Sequence, residues 1–76
     1  TNNFRTKEIK AYSSYGNLER SFGNIKQSLH FFNIADSLAN FTNDNNLKAT
    51  IYNNIGIVYN TNKDYETSVD FYKKIT

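Results

Sequence analysis

Leu47-Lys48-Ala49-Thr50-Ile51-Tyr52-Asn53-Asn54-Ile55-Gly56-Ile57-Val58-Tyr59 is the stretch that decides the fold. Its residues Leu47, Ile51, Tyr52, Ile55, Val58 and Tyr59 recur at gaps of three and four, with adjacent pairs. That spacing draws a wide apolar stripe on a helix of 3.6 residues per turn. After a polar break over residues 60–64, Tyr65, Val69, Tyr72 and Ile75 repeat it. Upstream, Ile25, Leu29, Phe32, Ala35 and Ala39 form a third stripe, and Phe4, Tyr12, Tyr15, Leu18 and Phe22 a sparser one.

Punctuation falls between the stripes. Phe22-Gly23-Asn24 reads as a helix end at a left-handed glycine, then an Asn cap with Gln27 three residues on, a capping box. In the later turn Asp64 can cap, with Glu66 in the first helical turn. The polar run over residues 42–46 is a loop. Four helices follow, over about 4–21, 24–40, 45–61 and 64–76. The fold is expected to be all-α, built from two stacked helix–turn–helix units. The second helix carries another apolar row, Phe31, Ile34, Leu38 and Phe41, and so needs neighbours on two sides.

Composition narrows the function classes. The chain has 76 residues, no Cys, no Pro, one His and three Gly. A core of this size supplies only about 3–5 kcal/mol, and disulfides or thiolate metal sites are excluded. The net charge of +2 is scattered, without the basic footprint of a nucleic-acid binder. No apolar stretch is long enough for a membrane span, and no signal peptide is expected within these residues. Starting at Thr1 and stopping in mid-pattern, the chain is expected to be a piece of a longer polypeptide. The absence of Cys fits a reducing cytoplasm and almost equally a periplasm.

Sliding the sequence on itself by 40 residues aligns its halves. Tyr12 falls on Tyr52, Gly16 on Gly56, Asn24 on Asp64, Ile25 on Tyr65, Ser28 on Ser68, Leu29 on Val69 and Phe32 on Tyr72. A helical repeat is the reading. Gly16 and Gly56 both fall in mid-helix, where Gly costs about 1 kcal/mol relative to Ala. Its recurrence at one repeat position points to close approach of the partner helix.

Tyr52, Ile55, Gly56 and Tyr59, followed by Ser68 and Tyr72, resemble the tetratricopeptide repeat family: an aromatic, an aliphatic-Gly pair, a Tyr, then a small residue and an aromatic on the second helix. The first half fits at Tyr12, Gly16, Gly23, Ser28, Phe32 and Ala35 but places Glu19 at the Tyr position. The period also exceeds the family's usual length of about 34 residues. Long repeats of this kind are similar to tandem arrays in bacterial sensor kinases and transcription regulators.

The resemblance implies a curved array whose first helices line a concave side that holds a peptide or partner protein. Carried over position by position, that lining is Lys10, Ser13, Ser14, Asn17 and Arg20, then Thr50, Asn53, Asn54, Ile57 and Asn60. Asn54 matches a family position that is commonly Asn and contacts ligand backbone. Spacing independently puts Asn53, Ile57 and Asn60 on one face, off the apolar stripe. Carboxamides offer two donors and an acceptor to an extended main chain. Ile57 is expected as an exposed apolar anchor, and Lys10 and Arg20 as attractors of an acidic segment. The competing reading makes these residues ordinary solvated surface of an Asn-rich chain.

Catalysis finds no residues. His30 has no Cys partner and no carboxylate at i+4, so it reads as a surface residue. Asp64, Glu66 and Asp70 are explained by a cap, a first-turn acid and a solvated face. Nucleophile, phosphate-loop and HExxH motifs are missing. The tyrosines are expected on core stripes, with no basic interleaving for base stacking. The chain is therefore expected to be a non-catalytic module for a protein or peptide partner, with no cofactor, no metal, no nucleic acid and no membrane insertion. The alternative is a spacer or homo-oligomerisation element, with Phe31, Phe41 and Phe71 meeting another repeat. Two repeats are marginal in isolation, and Phe71, Tyr72 and Ile75 are expected to be uncovered on at least one side.

Overall fold

In the computed structural model, which describes residues 2–75, the chain forms α1 (Asn2–Ser21), α2 (Ile25–Ala39), α3 (Asn45–Thr61) and α4 (Tyr65–Lys73). α1 packs on α2 and α3 on α4 as two helical hairpins; α2 joins them by packing on α3, which also touches α1. The fold is all-α. α4 is shorter than its apolar spacing suggests: it ends at Lys73 with a turn over 74–75, and Thr76 lies outside the described residues.

Both hairpins turn in the same way. Gly23 adopts φ 80°, its N–H donates to the Arg20 carbonyl at 2.9 Å, and the Asn24 N–H donates to the Glu19 carbonyl at 2.8 Å. This is a Schellman closure around a left-handed residue. Forty residues later Lys63 takes φ 65°, with Lys63 N–H to Asn60 and Asp64 N–H to Tyr59 at 3.0 and 2.9 Å. The second turn is thus built without glycine.

The caps differ. Asp44 accepts from the Leu47 N–H at 3.0 Å, and Asp64 from the Thr67 N–H at 3.3 Å. The capping box read at Asn24 and Gln27 does not form, because the Asn24 amide donates backwards to Glu19 Oε2 at 3.2 Å. Glu19, the residue that departs from the repeat pattern, is the one that takes this amide.

Each hairpin is closed by the same contact. Ser28 Oγ donates to the Gly16 carbonyl and Ser68 Oγ to the Gly56 carbonyl, both at 2.7 Å and both buried. A Cβ on Gly16 would come within 2.8 Å of the Phe32 ring, and one on Gly56 within 2.7 Å of the Tyr72 ring. The close approach expected from the mid-helix glycines is present in both places.

The core comprises Ile9, Phe32, Ala35, Ala39, Leu47, Ile51, Ile55 and Val58. α2 and α3 supply all but Ile9. The row predicted for the first helix is mostly outside: Phe4, Tyr15 and Leu18 of α1, and Phe22 just after it, are exposed and Tyr12 is half-buried. α2 covers only one side of α1, and the side chain buried there is Ile9. On α4, Tyr65, Val69 and Tyr72 are likewise exposed, as is Ile75 in the turn beyond it, and Ser68 is the buried residue. Phe31 and Phe71 are half-buried among rings of their own hairpins. Phe31 lies against Tyr12 and Tyr15, with ring centroids 6.3 and 5.4 Å away, and Phe71 lies against Tyr52 and Tyr59 at 6.2 and 5.6 Å. Phe41 is exposed, with the Arg5 guanidinium 5.3 Å from its ring centroid.

Candidate binding face

Successive helical turns of α1 and α3 carry the predicted lining. Lys10, Ser14, Thr50, Asn53 and Asn60 are exposed, whereas Ser13, Asn17, Arg20, Asn54 and Ile57 are half-buried. Ile57 is therefore less open than its spacing suggests, because α3 has packed neighbours on two sides. Among the described residues, no hydrogen bond engages the side-chain amides of Asn17, Asn53, Asn54 or Asn60. Thr50 is already used, its hydroxyl donating to the Asn46 carbonyl at 3.0 Å.

A hollow of about 220 Å³ lies where α1 meets the start of α3, lined by Thr6, Lys10, Asp44, Asn46, Leu47 and Thr50. It brings Lys10 and Thr50 together from the predicted set. Thr6 and Asn46 were not anticipated, yet they too are forty residues apart, one turn before Lys10 and Thr50. Extending both predicted rows by one turn would have found them.

The two cations do not act as one patch. Lys10 and Arg20 stand ten residues apart on one helix, about 15 Å along its axis. Lys10 shares its hollow with the oppositely charged Asp44. Arg20 has its Nε buried without a partner.

On the other side of α3, Tyr52 meets α2. Partial burial, then the charge of Asp36 and a hydrogen bond to it, raise the Tyr52 phenol above its ordinary value. The Asp36 Oδ1 atom is itself buried without a partner. Lys74 lies over the rings of Phe71 and Tyr52, 4.4 and 5.5 Å from their centroids. These contacts tie α4 to α3.

No group of three metal-ligating side chains gathers among the described residues. No described helix is long and apolar enough to cross a membrane. Comparison with known families, with curated proteins and with solved structures finds no match to this chain.

Proposed function

We propose that the chain is a non-catalytic interaction module that holds an extended peptide or partner-protein segment along the α1–α3 face. The observation that carries this is the set of unengaged carboxamides of Asn17, Asn53, Asn54 and Asn60 beside the half-buried Ile57. Each amide can both donate to and accept from a ligand main chain, while Ile57 offers one apolar anchor. Recognition is then a matter of shape and hydrogen bonding, with no covalent step. The Gly–Ser–aromatic contact repeated at Gly16, Ser28, Phe32 and Gly56, Ser68, Tyr72 supports a tetratricopeptide-like reading of the unit. A place in the sensing array of a larger bacterial signalling protein rests on the long period alone. The flanking reading frame tests it.

The binding proposal is tested by selecting displayed random peptides on the chain and measuring one enriched peptide by fluorescence anisotropy. Asn53→Ala with Asn54→Ala should weaken binding at least about tenfold, since each lost amide contact is worth about 1 kcal/mol. Helicity by circular dichroism should not change. Equal affinity in the variant, or no enriched peptide, sinks the proposal.

A further inference from the structure

The α2–α3 contact has two sides, and each recurs elsewhere in the chain without a cover. Moved by forty residues, Leu29, Phe32 and Ala35 of α2 become Val69 and Tyr72 of α4 and Ile75 of the turn that follows it. Moved the other way, Ile51, Ile55 and Val58 of α3 become Ala11, Tyr15 and Leu18 of α1. Phe32, Ala35, Ile51 and Val58 are fully buried. Their counterparts are open: Tyr72 is 36% exposed, Ile75 39%, Leu18 50%, and Ala11 is exposed as well. Tyr15, the counterpart of the buried Ile55, is 54% exposed. Neither uncovered row contains a charge.

Ala35 and Ile51 in the covered interface become Ile75 and Ala11 in the open rows, Leu29 and Val58 become Val69 and Leu18, and Phe32 and Ile55 both become tyrosines, so the open rows keep the apolar and aromatic character of the covered ones. At Lys7, which stands where α3 has the buried Leu47, the row departs from its counterpart. That confines the contact to residues 11–21 of α1.

We propose that α1 of a second copy of this chain packs on α4 as α3 packs on α2. The contact is head to tail: it joins different faces of the two copies and leaves one free end of each kind. Repeating it extends the solenoid as an open superhelix rather than closing a two-fold dimer. It uses neither the carboxamides nor the hollow of the α1–α3 face, so this proposal and the binding proposal fail independently.

Sedimentation velocity of the chain from about 10 µM to about 1 mM should show a mass that keeps rising with concentration. Leu18→Glu, which blocks the α1 row, and Val69→Glu, which blocks the α4 row, should each give a monomer. Mixed in equal amounts, the two variants should form a dimer and stop there, because one intact face of each kind remains. A monomer at the highest concentration for the unmodified chain overturns the proposal. So does a dimeric Leu18→Glu variant alone, or a mixture that stays monomeric while both variants keep their helicity. The concentration series of the unmodified chain decides the matter even if a variant unfolds.

Discussion

Phe32 and Tyr72 occupy the same place in two successive hairpins, each against a glycine of the preceding helix, yet Phe32 has no exposed surface and Tyr72 keeps about a third of its own. The difference is in the neighbours: α2 packs on both α1 and α3, whereas among the described helices α4 packs only on α3. Local hairpin geometry is therefore set within each repeat by the Gly–Ser–aromatic contact. Burial is set between repeats. The first hairpin has both terms and the second only one, so matched substitutions should give unequal effects wherever coverage matters and equal ones where it does not.

The largest inequality should come from removing the aromatic ring. Phe32→Ala should cost about 3–5 kcal/mol, comparable to the whole stability expected of a core this size, and leave the chain largely unfolded. Tyr72→Ala should cost less than half as much, since its ring already meets solvent. Urea unfolding of both variants measures the gap. Equal midpoints would break the comparison.

Filling the glycines comes next. In Gly16→Ala the new methyl is trapped 2.8 Å from a ring that α3 holds in place. Overpacking should cost about 1–3 kcal/mol. In Gly56→Ala the Tyr72 ring can swing outward, and Ala recovers up to about 1 kcal/mol of helix propensity. Thermal melts should place Gly16→Ala well below Gly56→Ala, which should lie near the unmodified chain. The reverse order would mean that coverage by α3 does not fix the Phe32 ring.

The smallest effects belong to the turns, where coverage plays no part. Gly23→Ala should destabilise by about 1 kcal/mol, and Lys63→Gly should stabilise by up to a similar amount, because a left-handed backbone costs an L residue about that much. A stabilised Gly23→Ala in urea unfolding would contradict the shared turn geometry.

What could be read from the sequence follows the same division. The repeat offset of forty, the two closing glycines and the serines at positions 28 and 68 were legible, because each is a local requirement that the chain states twice. Ile9 was not, because it stands between Glu8 and Lys10 and belongs to no long stripe. The stripe of α1 was legible as an apolar row but is mostly exposed, and Tyr72 and Ile75 are open as expected: periodicity reports that a face is apolar, not that something covers it. Asn24 looked like a cap, but Glu19 in the preceding helix takes its amide, a contact that cap patterns do not contain. On the binding face the rows through Ser14, Asn17, Asn53 and Asn54 came from spacing and resemblance. Thr6 and Asn46 needed the packing of α1 beside α3 to join them.

The repeat account is tested most directly by proton NMR of the two mid-helix glycines. Close contact with a ring face shifts neighbouring protons, so the α-protons of Gly16 and Gly56 should both be ring-current shifted. They should show cross-relaxation to the Phe32 and Tyr72 rings respectively. Random-coil glycine shifts without those cross-peaks, at either position, would contradict the claim that one hairpin is built twice.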